Sequence, residues 1–326
     1  MAGRELEKLG EFGLIERIAQ QVGSAAHLVK GIGDDCAIQR QTSERELLTS
    51  TDLLIEGIHF DRRWISLEEL GRKSAAVNIS DIAAMGGQPK SLFLGVACPA
   101  ELPLNELEAF SHGFITEVER YGAVLAGGDT CRSPGPLLIS VTVQGEIAAG
   151  QAICRTGALP GEAIYVSGTL GDSALALQEL LAGRQPDPYL LQRHNCPTAQ
   201  VELGRILAER RLASAMLDVS DGIVSDLGHI LESSEVGAQL DLASIPVSEP
   251  FLRALQQQPE LIDLALGGGE DYELLFTSSE HDLSDLALSG SRLTKIGVIE
   301  QQPGLRIKAE DGSDYHCQRG GFDHFS

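Results

Sequence analysis

The hydrophobic positions change period along the chain, and the changes mark out its elements. Leu6, Leu9, Leu14, Ile15 and Ile18 fit a short helix over 5–21, interrupted near Gly10 and Gly13. A glycine-acidic loop, GIGDDCA (31–37), follows, and LLTSTDLL (47–54) reads as a strand ending in a polar turn. Over 66–86, SLEELGRKSAAVNISDIAAMG opens with a Ser cap, completes a capping box at Glu69 and stops at Gly86-Gly87, which predicts a helix. LFLGVAC (92–98) is a buried strand in this pattern. A second helix over 103–121 carries Leu104, Leu107, Phe110, Phe114, Val118 and Tyr121 at alternating three and four spacing. AVLA (123–126) is a strand leading into a loop, GGDT (127–130), and LLISVTVQGEI (137–147) closes this half as a strand.

Between Gly150 and Gly161 the pattern breaks, and RTGALPGE reads as a linker and turn before a new strand, AIYVSG (163–168). The second half adds helices near 172–183, 198–210 and 222–234, and strands AMLDVS (215–220), GAQLDL (237–242) and YELLFT (272–277), the last preceded by a loop, GGGED (267–271). Strands and helices alternate without barrel periodicity, so the expected class is α+β, with two mixed α/β domains rather than one doubly wound sheet. The length, 326 residues, suits two domains that each bury a core.

Composition narrows the partners. Asp and Glu outnumber Lys and Arg by 47 to 25, a formal charge of −22 that repels a phosphodiester backbone or an anionic leaflet, so neither nucleic acid nor membrane is expected. No secretory signal pattern and no spanning apolar run is seen, and six scattered cysteines without metal-ligand spacing read as reduced thiols of a cytoplasmic protein. P-loop, dinucleotide-binding, nucleophile-elbow and protein-kinase motifs are all missing; GRKS (71–74) is only a fragment inside the predicted helix.

The placement of the acids says more than their number. GIGDD, STD, GGDT, DVSDG and GGED share one chemical content: carboxylates beside Gly, Ser or Thr at the ends of predicted strands. Each alone is ordinary turn or capping chemistry. Together they suit a hard divalent cation such as Mg2+, which takes oxygen ligands and in turn suits phosphates. Ser74, Asn78 and Asp81 share one face of an otherwise apolar helix, a polar stripe that asks for a polar object opposite or a buried hydrogen-bond network.

Taken in order, GIGDDCA (31–37), STD (50–52) with EGIHF (56–60), AVNISDIAAMG (76–86), GGDT (127–130), RTGALPGEAIYVSGTLGDSA (155–174), DVSDGIVSDLGHI (218–230), GGEDYELLF (268–276) and GGFDHF (320–325) closely resemble the thiamine-monophosphate kinase family. That family belongs to the superfamily of aminoimidazole ribonucleotide synthetase. The resemblance implies Mg2+-dependent transfer of the ATP γ-phosphoryl group onto thiamine monophosphate, the last step of thiamine diphosphate biosynthesis. It implies an N-terminal domain over 1–148 that forms a homodimer and a C-terminal domain over 149–326 that covers the nucleotide. Residue by residue, Asp35, Ser50, Thr51, Asp52, Asp81, Asp129, Asp218 and Asp221 match metal positions of the family. Gly128, Asp129, Arg155 and Ser220 match its nucleotide contacts, and His59, Glu270 and Phe322 its acceptor contacts. Because the acceptor is already a phosphate anion, no general base is expected, and the transfer is expected to be in line with no phospho-enzyme. Other readings are a sister ATP-dependent enzyme of the superfamily or a non-catalytic metal or nucleotide sensor.

Overall fold

The computed structural model describes residues 28–30, 33–283, 286, 292–319 and 321; the helix expected over 5–21 and the GFDHF motif, with Phe322, lie outside the described residues apart from Gly321. Two six-stranded sheets organise the described chain. The first contains β1 (Leu28–Lys30), β2 (Ala37–Arg40), β3 (Arg45–Ile55), β4 (Gln88–Pro99), β5 (Val124–Ser133) and β6 (Leu138–Ala148), in the order β1-β2-β3-β6-β4-β5. All its pairings are antiparallel except β4 with β5. Helices α1 (Leu67–Ala84) and α2 (Leu104–Arg120) belong to this half. The second sheet contains β7 (Ala163–Ser167), β8 (Ala215–Asp218), β9 (Gly237–Asp241), β10 (Leu274–Ser278), β11 (Leu293–Glu300) and β12 (Gly304–Lys308), in the order β12-β9-β11-β7-β10-β8. Around it lie α3 (Asp172–Leu181), α4 (Pro188–Asn195), α5 (Val201–Glu209), α6 (Ile223–Ser234), α7 (Glu249–Leu255) and α8 (Ile262–Gly267).

Two expected turns are strand interiors. The STD segment lies inside β3, and GGDT lies inside β5, so neither is a loop. The reason is register: Ser50, Thr51 and Asp52 pair with Val143, Thr142 and Val141, while Gly128 and Asp129 pair with Leu94 and Gly95. A Cβ on Gly128 would fall 2.0 Å from the Leu94 carbonyl oxygen, so the glycine pair marks a tight backbone approach in a strand, not a turn.

Helix α1 is the centre of the molecule. Its capping box is formed as the sequence predicts, with Ser66 and Glu69 exchanging hydrogen bonds to each other's backbone N–H. Fourteen of its 18 residues are buried, because it is covered by sheet one, by α2 and by β8 and α5 of the second half. Small residues permit this crowding: a Cβ on Gly71 would lie 2.1 Å from Phe110 O, and one on Gly204 of α5 2.1 Å from Ala83 O. One apolar core accordingly runs from Leu48, Ile82 and Val141 through α1 to Leu207, Met216 and Phe276. A second core, around Val166, Leu217, Ile223 and Leu266, fills the opposite face of the second sheet.

Candidate active site

β3 brings Asp52 to the face of sheet one that α1 covers. Side chains alternate along a strand, so Ser50 and Asp52 share that face with buried Leu48 and Leu54, while Thr51 and Leu53 face the other way and are exposed. The Thr51 hydroxyl bonds Val141 O and Thr142 Oγ1, each at 3.0 Å, on that other face, so its side chain does not join Asp52. Asp81, in the last turn of α1, Asp218, at the end of β8, and Asp35, just before β2, converge: one oxygen from each lies within 4.8 Å of the others. Ser80 donates its hydroxyl to Asp218, and Ser50 hydrogen-bonds Asp81. Of the polar stripe on α1, Asp81 joins this cluster, while Ser74 and Asn78 donate to carbonyls of their own helix, Leu70 O and Ser74 O.

The cluster is electrostatically unfavourable by itself. Burial, then the charge of Asp35, pushes Asp52 up to about 6, and burial with Asp35 pushes Asp218 up to about 7. Asp81 is driven far above the usual carboxylate range by burial and by Asp52, Asp218 and Asp35. Asp35 is raised by burial although Arg155 Nη2 sits 2.6 Å from its Oδ1, and its Oδ2 is buried without a hydrogen-bond partner. Four carboxyl groups that resist ionising together, one orphaned acceptor and an all-oxygen donor set fit a hard divalent cation. Because a cation must displace the protons that Asp52 and Asp218 retain at low pH, Mg2+ should raise Tm more at pH 8 than at pH 5. At about a hundred times Kd the gain is ~2.7 kcal/mol per site. Differential scanning calorimetry checks this, and an equal shift at both pH values would contradict it.

Two loops are zipped together beside the cluster. The Val219 N–H donates to Glu273 O, the Glu270 N–H to Ser220 O and the Tyr272 N–H to Val219 O, each at 2.8 Å, so DVSDG and GGED continue the β8–β10 pairing. Glu270 and Tyr272 are held at φ of +66° and +52°, left-handed values unusual for such side chains, where local strain accompanies function more often than elsewhere. Just before α6, Asp226 accepts the N–H groups of Asp221 and Gly222 at 3.2 and 3.0 Å.

Several expected residues do not join the four. Gly128 and Asp129 are exposed on the edge strand β5. Gly128 stands in one row with Leu94, Val141 and Asp52, three strand spacings or ~14 Å from Asp52. His59 is half-buried, its Nδ1 accepting the Ile55 N–H at 3.0 Å, and it contributes to the field at Glu270. The sequence reading misses Lys73, His194 and Asp226. A cleft of about 430 Å³ lies at the other end of α1, lined by Ser66, Arg72, Glu117 and Arg120 among others. Its charges pair with one another, Arg72 with Glu68 and Arg120 with Glu117.

The matches to known proteins follow this geometry. Residues 33–147 match the family model of the AIR synthase related protein, N-terminal domain, and residues 159–310 that of the C-terminal domain. Thiamine-monophosphate kinase of Salmonella typhimurium is 41% identical over 97% of this chain and 98% of its own length. The Haemophilus influenzae enzyme of the same name is 39% identical over the same shares. The chain belongs to the thiamine-monophosphate kinase family. A solved family structure, described as AaThiL complexed with AMPPCP and TMP, superposes with a TM-score of 0.86 at 34% identity, covering 98% of both chains. The Escherichia coli HypE structure, at 18% identity and a TM-score of 0.70, shares the fold alone. No helix among the described residues is long and apolar enough to cross a membrane.

Proposed function

We propose that the protein transfers the γ-phosphoryl group of ATP to thiamine monophosphate, giving thiamine diphosphate and ADP. The convergence of Asp35, Asp81 and Asp218 carries the reading, in a chain alignable end to end with a relative described as bound to AMPPCP and TMP. Asp35, Ser50, Asp52, Asp81, Asp218 and Asp221 would hold Mg2+. Bound there, the ions supply charge neutralisation of the phosphates and orientation of donor and acceptor. Arg155, fixed on Asp35 and by its own N–H on Asp34 at 3.2 Å, adds a cation at the nucleotide side. Ser220 and Gly128 are the further nucleotide contacts, and His59, Glu270 and Phe322 the acceptor contacts. Glu270 opposes its carboxylate to the thiamine cation. The N-terminal half to residue 148 supplies most of the carboxylates, and the half from 149 supplies Arg155, the DVSDG loop and Glu270.

No side chain is required as a base, because the attacking phosphate oxygen is already anionic. The transfer is therefore direct and in line, and chiral [γ-16O,17O,18O]-ATP should give thiamine diphosphate of inverted configuration; retention would demand a phospho-enzyme. The basic assay is stoichiometric formation of ADP and thiamine diphosphate from ATP, Mg2+ and thiamine monophosphate. A sensor would turn over nothing. The outer face of sheet one, with Leu53 and Phe93 exposed and β5 the last strand among the described residues, supports a homodimer built on the N-terminal half.

A further inference from the structure

Lys73 is buried in the middle of α1, with 1% of its side chain exposed, and takes no part in the carboxylate cluster. Its Nζ lies 3.0 Å from Glu270 Oε1 and donates to the His194 carbonyl, also at 3.0 Å. His194 Nδ1 stands 3.4 Å from Glu270 Oε2 and 2.9 Å from Ser173 Oγ. On the same helix, α4, Arg193 donates to the Asp271 carbonyl and to Glu273 Oε1, at 3.2 and 2.8 Å. Glu270 Oε1 is thereby held from α1, its Oε2 faces α4, and the main chain that follows it is tied to α4.

A buried ammonium is expensive to keep unless its partner needs it. Glu270 is such a partner. Burial would raise its pKa, yet Lys73, His194 and His59 together hold it below the usual range, in contrast to the cluster nearby. His194 itself is pushed down to about 4 by burial and by Lys73, so at neutral pH the charge paired with Glu270 is that of Lys73. Glu270 meets this pair from a backbone held at φ +66°.

We infer that Lys73 is a positioning residue that holds the Glu270 carboxylate where it meets the cationic part of the acceptor, and so sets acceptor affinity rather than the rate of phosphoryl transfer. This rests on the reading of Glu270 as an acceptor contact. Four variants of the full-length protein, Glu270→Gln, Lys73→Met, the double variant and Lys73→Arg, separate the two. Steady-state kinetics with both substrates varied should show KM for thiamine monophosphate rising about ten- to a hundredfold in Glu270→Gln and in Lys73→Met. KM for ATP and kcat should change by less than about threefold, Lys73→Arg should recover most of the affinity, and Lys73→Met should add almost nothing to Glu270→Gln.

If Glu270→Gln leaves acceptor KM unchanged, the acceptor assignment fails. If it raises KM while Lys73→Met does not, or if the two effects add, the positioning role fails instead. A Lys73→Met protein that falls in kcat and in both affinities alike would be merely misfolded around α1 and would also refute the role. Should that variant not fold, His194→Gln carries the test: a rise in acceptor KM of about threefold or more, with ATP unaffected, supports the inference, and an unchanged value overturns it.

Discussion

Asp218→Asn should lower kcat by on the order of a thousandfold while making the metal-free protein more stable at alkaline pH. The loss follows from removing a charge at the centre of the converging oxygens, where several kcal/mol of phosphate neutralisation is concentrated. The gain follows from linkage. The folded-state pKa of Asp218 is raised to about 7, above the ordinary value of 3.8, so the native state holds this proton more tightly than the unfolded chain. Its contribution is present at low pH and is lost as pH rises through 7, and the Asn side chain cannot suffer that loss. The Ser80 hydroxyl retains an acceptor in the amide oxygen. Thermal melting in EDTA should place the variant above the parent at pH 8 and close to it at pH 5. A variant less stable at pH 8 would mean that Asp218 is held by structure rather than tolerated for binding.

Arg155→Met should have the opposite sign. Arg155 stands against Asp35, whose side chain is 3% exposed, and its removal leaves that carboxylate among Asp34, Asp81 and Asp218 without a counter-charge. Losing one partner of a buried pair costs about 3–5 kcal/mol, and the value here falls at the lower end because the guanidinium is 22% exposed. The metal-free variant should therefore melt well below the parent, Mg2+ should restore part of the difference, and KM for ATP should rise. An unchanged melting temperature in EDTA would remove Arg155 from the electrostatic balance of the site. Together the two substitutions test one claim, that without a cation the cluster is a repulsive arrangement kept for what it binds.

Local pattern revealed the elements that carry one period from end to end. The capping box of α1, the heptad-like stripe of α2 and the alternating run of β6 are written in adjacent residues, and so is the nearness of each aspartate to a small neighbour. What local pattern could not carry was pairing. STD and GGDT look like turns because Ser, Thr, Asp and Gly favour turns, yet Val141–Val143 on one side and Leu94–Gly95 on the other hold them in strands. Over 249–267 and 293–308 no element was apparent, where α7, α8, β11 and β12 depend on packing against a sheet formed elsewhere in the chain. In sequence Lys73 belongs to GRKS, a mere fragment of a phosphate-loop motif. Its true partners, His194 and Glu270, are 121 and 197 residues away, and only the crossing of α1 with α4 and the GGED loop makes them neighbours. Asp226 is hidden for a different reason: an acid in the first turn of a helix is ordinary, and nothing in sequence tells an outward side chain from one that turns back onto the main chain of Asp221 and Gly222.

The burial of α1 on nearly every side has a mechanical meaning. Two-domain enzymes commonly open by a hinge, because the interface between their halves is small and polar enough to part. Here the surface that would have to part is an apolar core continuous from Ile82 to Phe276, and the helix inside it carries both Asp81 and Lys73. Separating the halves would take the site apart and wet the core in the same movement. The two halves should therefore lose their structure together rather than in turn.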